Sequence, residues 1–382
     1  MSRPTAESGF PRDPSAPPPA RRERLVWIDL FRGAAVLIMI ETHVVNTFMV
    51  NSLRADGWFT VLNYINGLVA PSFLFIAGFV QGMERGASPD KPVKFARRAG
   101  HLLGILFLAY ALHFPWTELG QHRWDDAVRV GSQADVLQCI SASLLLLLGV
   151  TWLAQKIGGR RGQSVWWCVL TALLLAVVFL APYAPGWNGL PVPLQAWVNR
   201  STGSWFPLFS WAGFVLFGAM TGAAYGLARR TVETADLIPQ PVAGSTLSLM
   251  SLVRRSSSVF LITPVPLAVS AWAFRDAAYS PVSPSSFFER AAWVLILAAC
   301  CEWLAGRLRP SLPLFAGKHS LTLYVTHLVL ISTLVGAGLS MNTISLAGVL
   351  ALIAGVATVS LALTWVIVNA RAFVRSARGS VK

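Results

Sequence analysis

The sequence predicts an all-α fold: a polytopic membrane helical bundle of about ten transmembrane helices, with both termini cytoplasmic. Three observations predict it. Of the 382 residues, 54% are hydrophobic and only 13% charged, about half the charged share of an ordinary water-soluble domain. The apolar residues gather into runs of about 20, the length a helix needs to cross a hydrocarbon core. Lys and Arg crowd into alternate loops, as the positive-inside rule requires. The 15 Trp and 21 Phe, against 17 acidic residues, fit a helical bundle better than an outer-membrane barrel, whose strands alternate and whose lumen is polar.

The apolar runs lie near 26–50, 61–83, 99–116, 133–154, 164–182, 205–227, 257–274, 290–306, 320–338 and 345–369. With the N-terminus inside, 25 of the 31 basic residues fall on the inner side. Arg54, Arg123, Arg129, Arg200, Arg275 and Arg290 remain outside. The net charge of +14 is therefore assigned to loop anchoring, and no nucleic-acid partner is expected. The expected partner is the lipid bilayer, and the expected location the cell (inner) membrane.

The organisation follows from these runs. Residues 1–24, rich in Pro and Arg, read as a disordered cytoplasmic arm. A six-helix half (25–230) is followed by a cytoplasmic linker (231–256), a four-helix half (257–370) and a basic cytoplasmic tail (371–382). The seventh run is the weakest, because Pro264 and Pro266 interrupt it. Gly218, Gly222 and Gly226, and likewise Gly78 and Gly82, stand four residues apart and point to close helix packing. The four cysteines show no metal-ligand spacing, and no metal site is expected.

Ionisable residues inside lipid are expensive, so those within spans are the site candidates. The first span holds Asp29, Arg32, Glu41 and His43. At 100° per residue Asp29, Arg32 and His43 share one stripe while Glu41 points away, and Asp29 lies about 21 Å from His43 along the axis. The stripe lines a path from the inner surface into the outer half of the bilayer. Asp135 and Gln138, in the first turn of the fourth span, lie at about the depth of His43. A carboxylate near that imidazole would fix its tautomer and favour a general base. Asn63 and Asn66 lie one turn apart on the second span, ahead of Pro71, and suit either a polar acceptor or interhelical bonding. Span nine offers Ser320, Tyr324 and His327 on one stripe, with Lys318 at its inner mouth. His327 is a second catalytic candidate, although an orienting or structural role suits it as well. Arg97 and Arg98, with Arg32 and Lys318, can form a cationic mouth for an anionic cofactor as well as obey the positive-inside rule.

Several stretches carry a resemblance. Arg24 to His43 (RLVWIDLFRGAAVLIMIETH) resembles the opening of the transmembrane acyltransferase superfamily. Asn66 to Phe79 (NGLVAPSFLFIAGF), Asp135 to Ile140 (DVLQCI) and Gly317 to His327 (GKHSLTLYVTH) resemble bacterial relatives of heparan-alpha-glucosaminide N-acetyltransferase. The resemblance covers about 50 residues in four spans, and it departs at Cys139, where the animal enzyme's motif carries an Arg. It implies a membrane-bound O- or N-acyltransferase. The acyl group, typically acetyl, would come from cytoplasmic acetyl-CoA or another acyl-CoA. The acceptor would be a glycan or lipid-linked sugar of the cell envelope. It also implies His43 as the family's intramembrane His, Asp29 and Arg32 as its Asp and Arg, and Gln138 and His327 as parts of its later motifs.

The expected site therefore has His43, His327 and Asp135 as catalytic residues. Asp29, Arg32, Arg97, Arg98 and Lys318 serve the cofactor, and Asn63, Asn66, Gln138 and Tyr324 serve the acceptor. Direct attack by an acceptor deprotonated at His43 and a ping-pong route through an acylated His43 both remain open. A homodimer is compatible with the sequence. The alternative from another class is a multi-pass transporter or lipid-glycan flippase, which shares the polar midline but predicts an inverted repeat that the sequence lacks.

Overall fold

The computed structural model describes residues 25–236, 260, 263–275, 283–308 and 310–379. The arm at 1–24 and most of the linker at 231–256 lie outside the described residues. The principal helices are α1 (Val26–Phe48), α2 (Gly57–Asn66), α3 (Val69–Ala87), α4 (Phe95–Leu112), α5 (Trp116–Gly120), α6 (Trp124–Gly131), α7 (Val136–Ile157), α8 (Gly159–Leu180), α9 (Val192–Val198) and α10 (Leu208–Asp236). After the linker come α11 (Pro264–Ala273), α12 (Pro284–Ala305), α13 (Ser311–Lys318), α14 (Ser320–Gly336) and α15 (Leu346–Gly379). No strand forms among the described residues, only an isolated bridge between Met49 and Ile344.

Among the described residues six helical stretches are long and apolar enough to cross a membrane, and α13 with α14, bent by 87°, makes up to a seventh if the bent pair is one span. The protein is a multi-pass membrane protein. Ten runs were expected, and the other three are the run at 257–274, part of which lies outside the described residues, and those of α1 and α12. The 10 residues of α11 span about 15 Å, half a hydrocarbon core. Helices α1 and α12 have the length, with 23 and 22 residues, but carry Asp29, Arg32 and Glu41, and Glu289, Arg290 and Glu302. In α1 the charge is tolerated because the helix runs through the middle of the bundle, packed by α3, α12, α13, α14 and α15, so its polar groups need not face lipid.

Two glycine-mediated contacts set the frame. Along α3 and α10 the backbones touch. A Cβ on Gly78 or Gly82 would sit 1.9 Å from the carbonyl oxygens of Val215 and Ala219, and one on Gly218 or Gly222 2.1 Å from those of Phe75 and Phe79. Only glycine permits that approach. Likewise α13 lies against the first half of α1: a Cβ on Gly33 would meet the Pro313 carbonyl oxygen at 1.8 Å, and one on Gly317 that of Asp29 at 1.8 Å. Because α13 is pinned there, the sharp bend at His319 sends α14 along α1 and brings Ser320, Tyr324 and His327 beside it.

The turn from α7 to α8 uses Gly158 and Gly159 at φ 72° and 53°, a conformation that costs glycine nothing. This turn, the start of α1 and the α3–α4 connection lie at the same end of the bundle, called here the basic end.

Candidate active site

Two histidines far apart in sequence meet in the bundle. Position 43 comes from α1 and position 327 from α14; the Nδ1 of His43 lies 2.9 Å from the Nε2 of His327, with the rings stacked at 17°. The Nδ1 of His327 lies 2.9 Å from the Leu323 carbonyl oxygen, and the His327 side chain is fully buried. A carbonyl only accepts, so the His327 Nδ1 carries a proton and, in the neutral ring, its Nε2 accepts. His43 must then donate from Nδ1. Its own Nε2 is left with the lone pair, which is the state of a general base.

A second polar node stands close by. Asp135 is the N-cap of α7: its Oδ1 accepts from the Val136 N–H at 2.7 Å, and Gln138 Oε1 accepts from the Asp135 N–H at 3.3 Å, closing a capping box. The other carboxylate oxygen faces inward, 3.1 Å from His113 Nε2, and accepts from the Tyr324 hydroxyl at 3.3 Å. With donors on both oxygens Asp135 is placed to be a carboxylate. His113, at the end of α4, also contacts the Ala109 carbonyl through Nδ1 at 3.1 Å. Two acceptors bracket its ring, so its nitrogens both carry protons and it forms an imidazolium paired with Asp135. Both members of this pair act electrostatically on His43. Tyr324 ties the two nodes together, with its ring edge-on to His327 at 5.5 Å.

A chamber of about 370 Å³ opens between α1, α3, α4, α7 and α14. Arg32, Gln81, His101 and Ser320 form its polar end towards the basic side, and Met39, Ile105, Val136 and Tyr324 its deep end. Arg32 donates to the Ser320 hydroxyl at 2.8 Å. The deep end stops at Met39, one turn of α1 (about 6 Å) short of His43.

A family model for heparan-alpha-glucosaminide N-acetyltransferase, catalytic, matches residues 24–265, 242 of the 382 residues. The chain belongs to that family. No curated protein matches it. As a member of the heparan-alpha-glucosaminide N-acetyltransferase family it is a membrane transferase of the acetyltransferase kind. The matched stretch contains Arg32, His43, His113 and Asp135 but ends before Ser320, Tyr324 and His327, so three of these seven polar residues come from one helix beyond it, α14.

Within this family frame the remaining predicted residues separate. Asp29 is buried, with its backbone carbonyl under Gly317, and does not line the chamber. Gln138 is fully buried and its Oε1 serves the capping box, while its Nε2 has no partner. The two asparagines expected to work together do not share an environment: Asn66 is buried with an unpaired Oδ1, and Asn63 is exposed. Arg97 and Lys318 are exposed and line none of the chamber, and Arg98 is paired with Glu84 at 2.5 Å. Of the expected cationic mouth, only Arg32 reaches the chamber. Among the described residues no group of three His, Cys, Asp or Glu side chains is gathered to hold a metal ion. His113, Gln81 and His101 are new to the site. A His at the end of an apolar run reads as an interfacial residue until its partner across the bundle is known.

Proposed function

We propose that the protein moves an acetyl group from acyl-CoA, entering at the basic end, to an amine or hydroxyl of a cell-envelope glycan, and that His43 is the base. The observation that carries this reading is the hydrogen-bond order Leu323 carbonyl, His327, His43, which leaves the His43 Nε2 with its lone pair, one helical turn beyond the deep end of a chamber leading from the basic end. The acceptor nucleophile attacks the thioester carbonyl while His43 Nε2 takes its proton. The tetrahedral intermediate then collapses, the carbon–sulfur bond breaks, and the CoA thiolate leaves, taking up the proton that His43 had accepted. Charge gained at His43 spreads to His327 through their shared hydrogen bond, and the Asp135 carboxylate offsets it. An apolar deep end lined by Met39, Ile105 and Val136 excludes water from the thioester.

The test is CoA release by the purified protein in lipid nanodiscs, given acetyl-CoA with and without glucosamine as acceptor probe. Release that requires the acceptor is the expected result. A stoichiometric burst of CoA without acceptor overturns direct transfer in favour of an acyl-His43 intermediate. No release under either condition overturns the transferase reading.

A further inference from the structure

We infer that a second concavity, between the α3–α4 connection and the α7–α8 turn, holds the phosphate-bearing nucleotide end of the donor; this rests on the acyl-CoA reading above. The cleft measures about 660 Å³. Four cations converge on it from four helices: Arg85 of α3, Lys156 of α7, Arg160 of α8 and Arg230 of α10, against a single acid, Asp90. Loop anchoring alone scatters basic residues over a surface, whereas these share one hollow with the glycine turn at Gly158 and Gly159. Those glycines present no side chain, and α8 begins without a side-chain cap, so its first amides add to the attraction for an anion. Arginine is suited to phosphate because its planar fork donates two parallel hydrogen bonds.

The cleft and the chamber also share walls with one narrow pocket that lies between them. Arg85 and Gln155 line both the cleft and a narrow pocket of about 50 Å³, and Gln81 lines both that pocket and the chamber. The shared strip of α3 is Arg85, Gln81, Ala77 and Phe73, four residues apart. From Arg85 to Phe73 it rises about 18 Å, a span that an extended pantetheine arm, on the order of 15–20 Å, can cover. Phosphates at Arg85 and Arg160 therefore place the thioester at the deep end of the chamber, beside Met39 and Tyr324. Arg32, inside the chamber and bonded to Ser320, then meets the arm rather than the phosphates.

The experiment uses the full-length protein in phosphatidylcholine nanodiscs, with 3′-phosphoadenosine 5′-diphosphate as binding probe. The variants are Lys156→Glu with Arg160→Glu, the single Arg160→Lys, and Arg307→Glu, just beyond the end of α12, as a charge-reversal control outside the cleft. The double reversal is expected to weaken probe binding about tenfold or more and to raise the KM for acetyl-CoA by a similar factor, with a much smaller fall in kcat. Arg160→Lys, which keeps the charge but loses the fork, should weaken probe binding by less than the double reversal does, and Arg307→Glu should not weaken probe binding. Unchanged probe affinity in the double reversal overturns the assignment. So does a double reversal that lowers only the anionic lipid retained on purification, which would make the cleft a headgroup site. Probe binding is read without turnover, so wild-type protein that binds the probe through these residues but transfers nothing supports the cleft while refuting the transferase reading.

Discussion

His327→Phe keeps an aromatic ring of similar bulk beside His43 but deletes the nitrogen that accepts its Nδ1–H. A buried donor left without an acceptor costs about 1–3 kcal/mol. His43 can avoid that cost only by moving its proton to Nε2, which removes the lone pair the reaction uses. Either way the base-competent population falls by a factor of about 5 to 150, at 1.4 kcal/mol for each tenfold step. Leu323 loses little, because its carbonyl still accepts within the helix. His327→Gln restores an acceptor oxygen and should recover to within about fivefold of wild type. The assay is kcat for CoA release at saturating acetyl-CoA and glucosamine, with thermal unfolding of each variant confirming that the bundle is intact. A His327→Phe enzyme within twofold of wild type, or a Gln variant as impaired as Phe, would refute the tautomer argument.

Three further outcomes are expected. Asp135→Asn keeps an oxygen for the α7 cap but removes the charge opposite His113, so kcat should fall about tenfold or more while the melting temperature changes little; equal losses in both would assign Asp135 to structure alone. Gly82→Ala forces a Cβ to 1.9 Å from the Ala219 carbonyl and should destabilise by about 1–3 kcal/mol, whereas Gly104→Ala, with nothing within 4 Å, should be neutral or stabilise by up to about 1 kcal/mol; thermal unfolding of the pair checks the contrast. Ala77→Trp fills the middle of the chamber and should raise the KM for acetyl-CoA about tenfold or more without lowering the melting temperature in proportion; an unchanged KM would mean the donor takes another path.

Helical membrane architecture was readable from hydropathy because burial in lipid demands long apolar runs. That Gly78 and Gly82 mark a close helix contact was readable from four-residue spacing, but that α10 is the partner was not. His43 and His327 were each visible as polar exceptions in apolar spans, but their pairing was not, since 284 positions separate them and nothing local encodes the 87° bend that swings α14 alongside α1. Helical angles alone put Asp29, Arg32 and His43 on one stripe. In the fold they diverge: Asp29 packs under α13, Arg32 enters the chamber, and His43 meets α14. Asn63 and Asn66 both lie in α2, about 60° apart around its axis, and only Asn66 is buried. The strip Phe73, Ala77, Gln81 and Arg85 was present in the sequence at i, i+4 spacing. Its meaning depended on the neighbouring α7 and α8, which supply Lys156 and Arg160.

The most direct measurement of the central claim is single-turnover acetyl transfer from acetyl-CoA to glucosamine by the His43→Ala variant in nanodiscs, with probe affinity measured on the same sample. The account predicts a rate about 10²- to 10⁴-fold below wild type with nucleotide binding retained. A rate within a factor of about ten of wild type would contradict it.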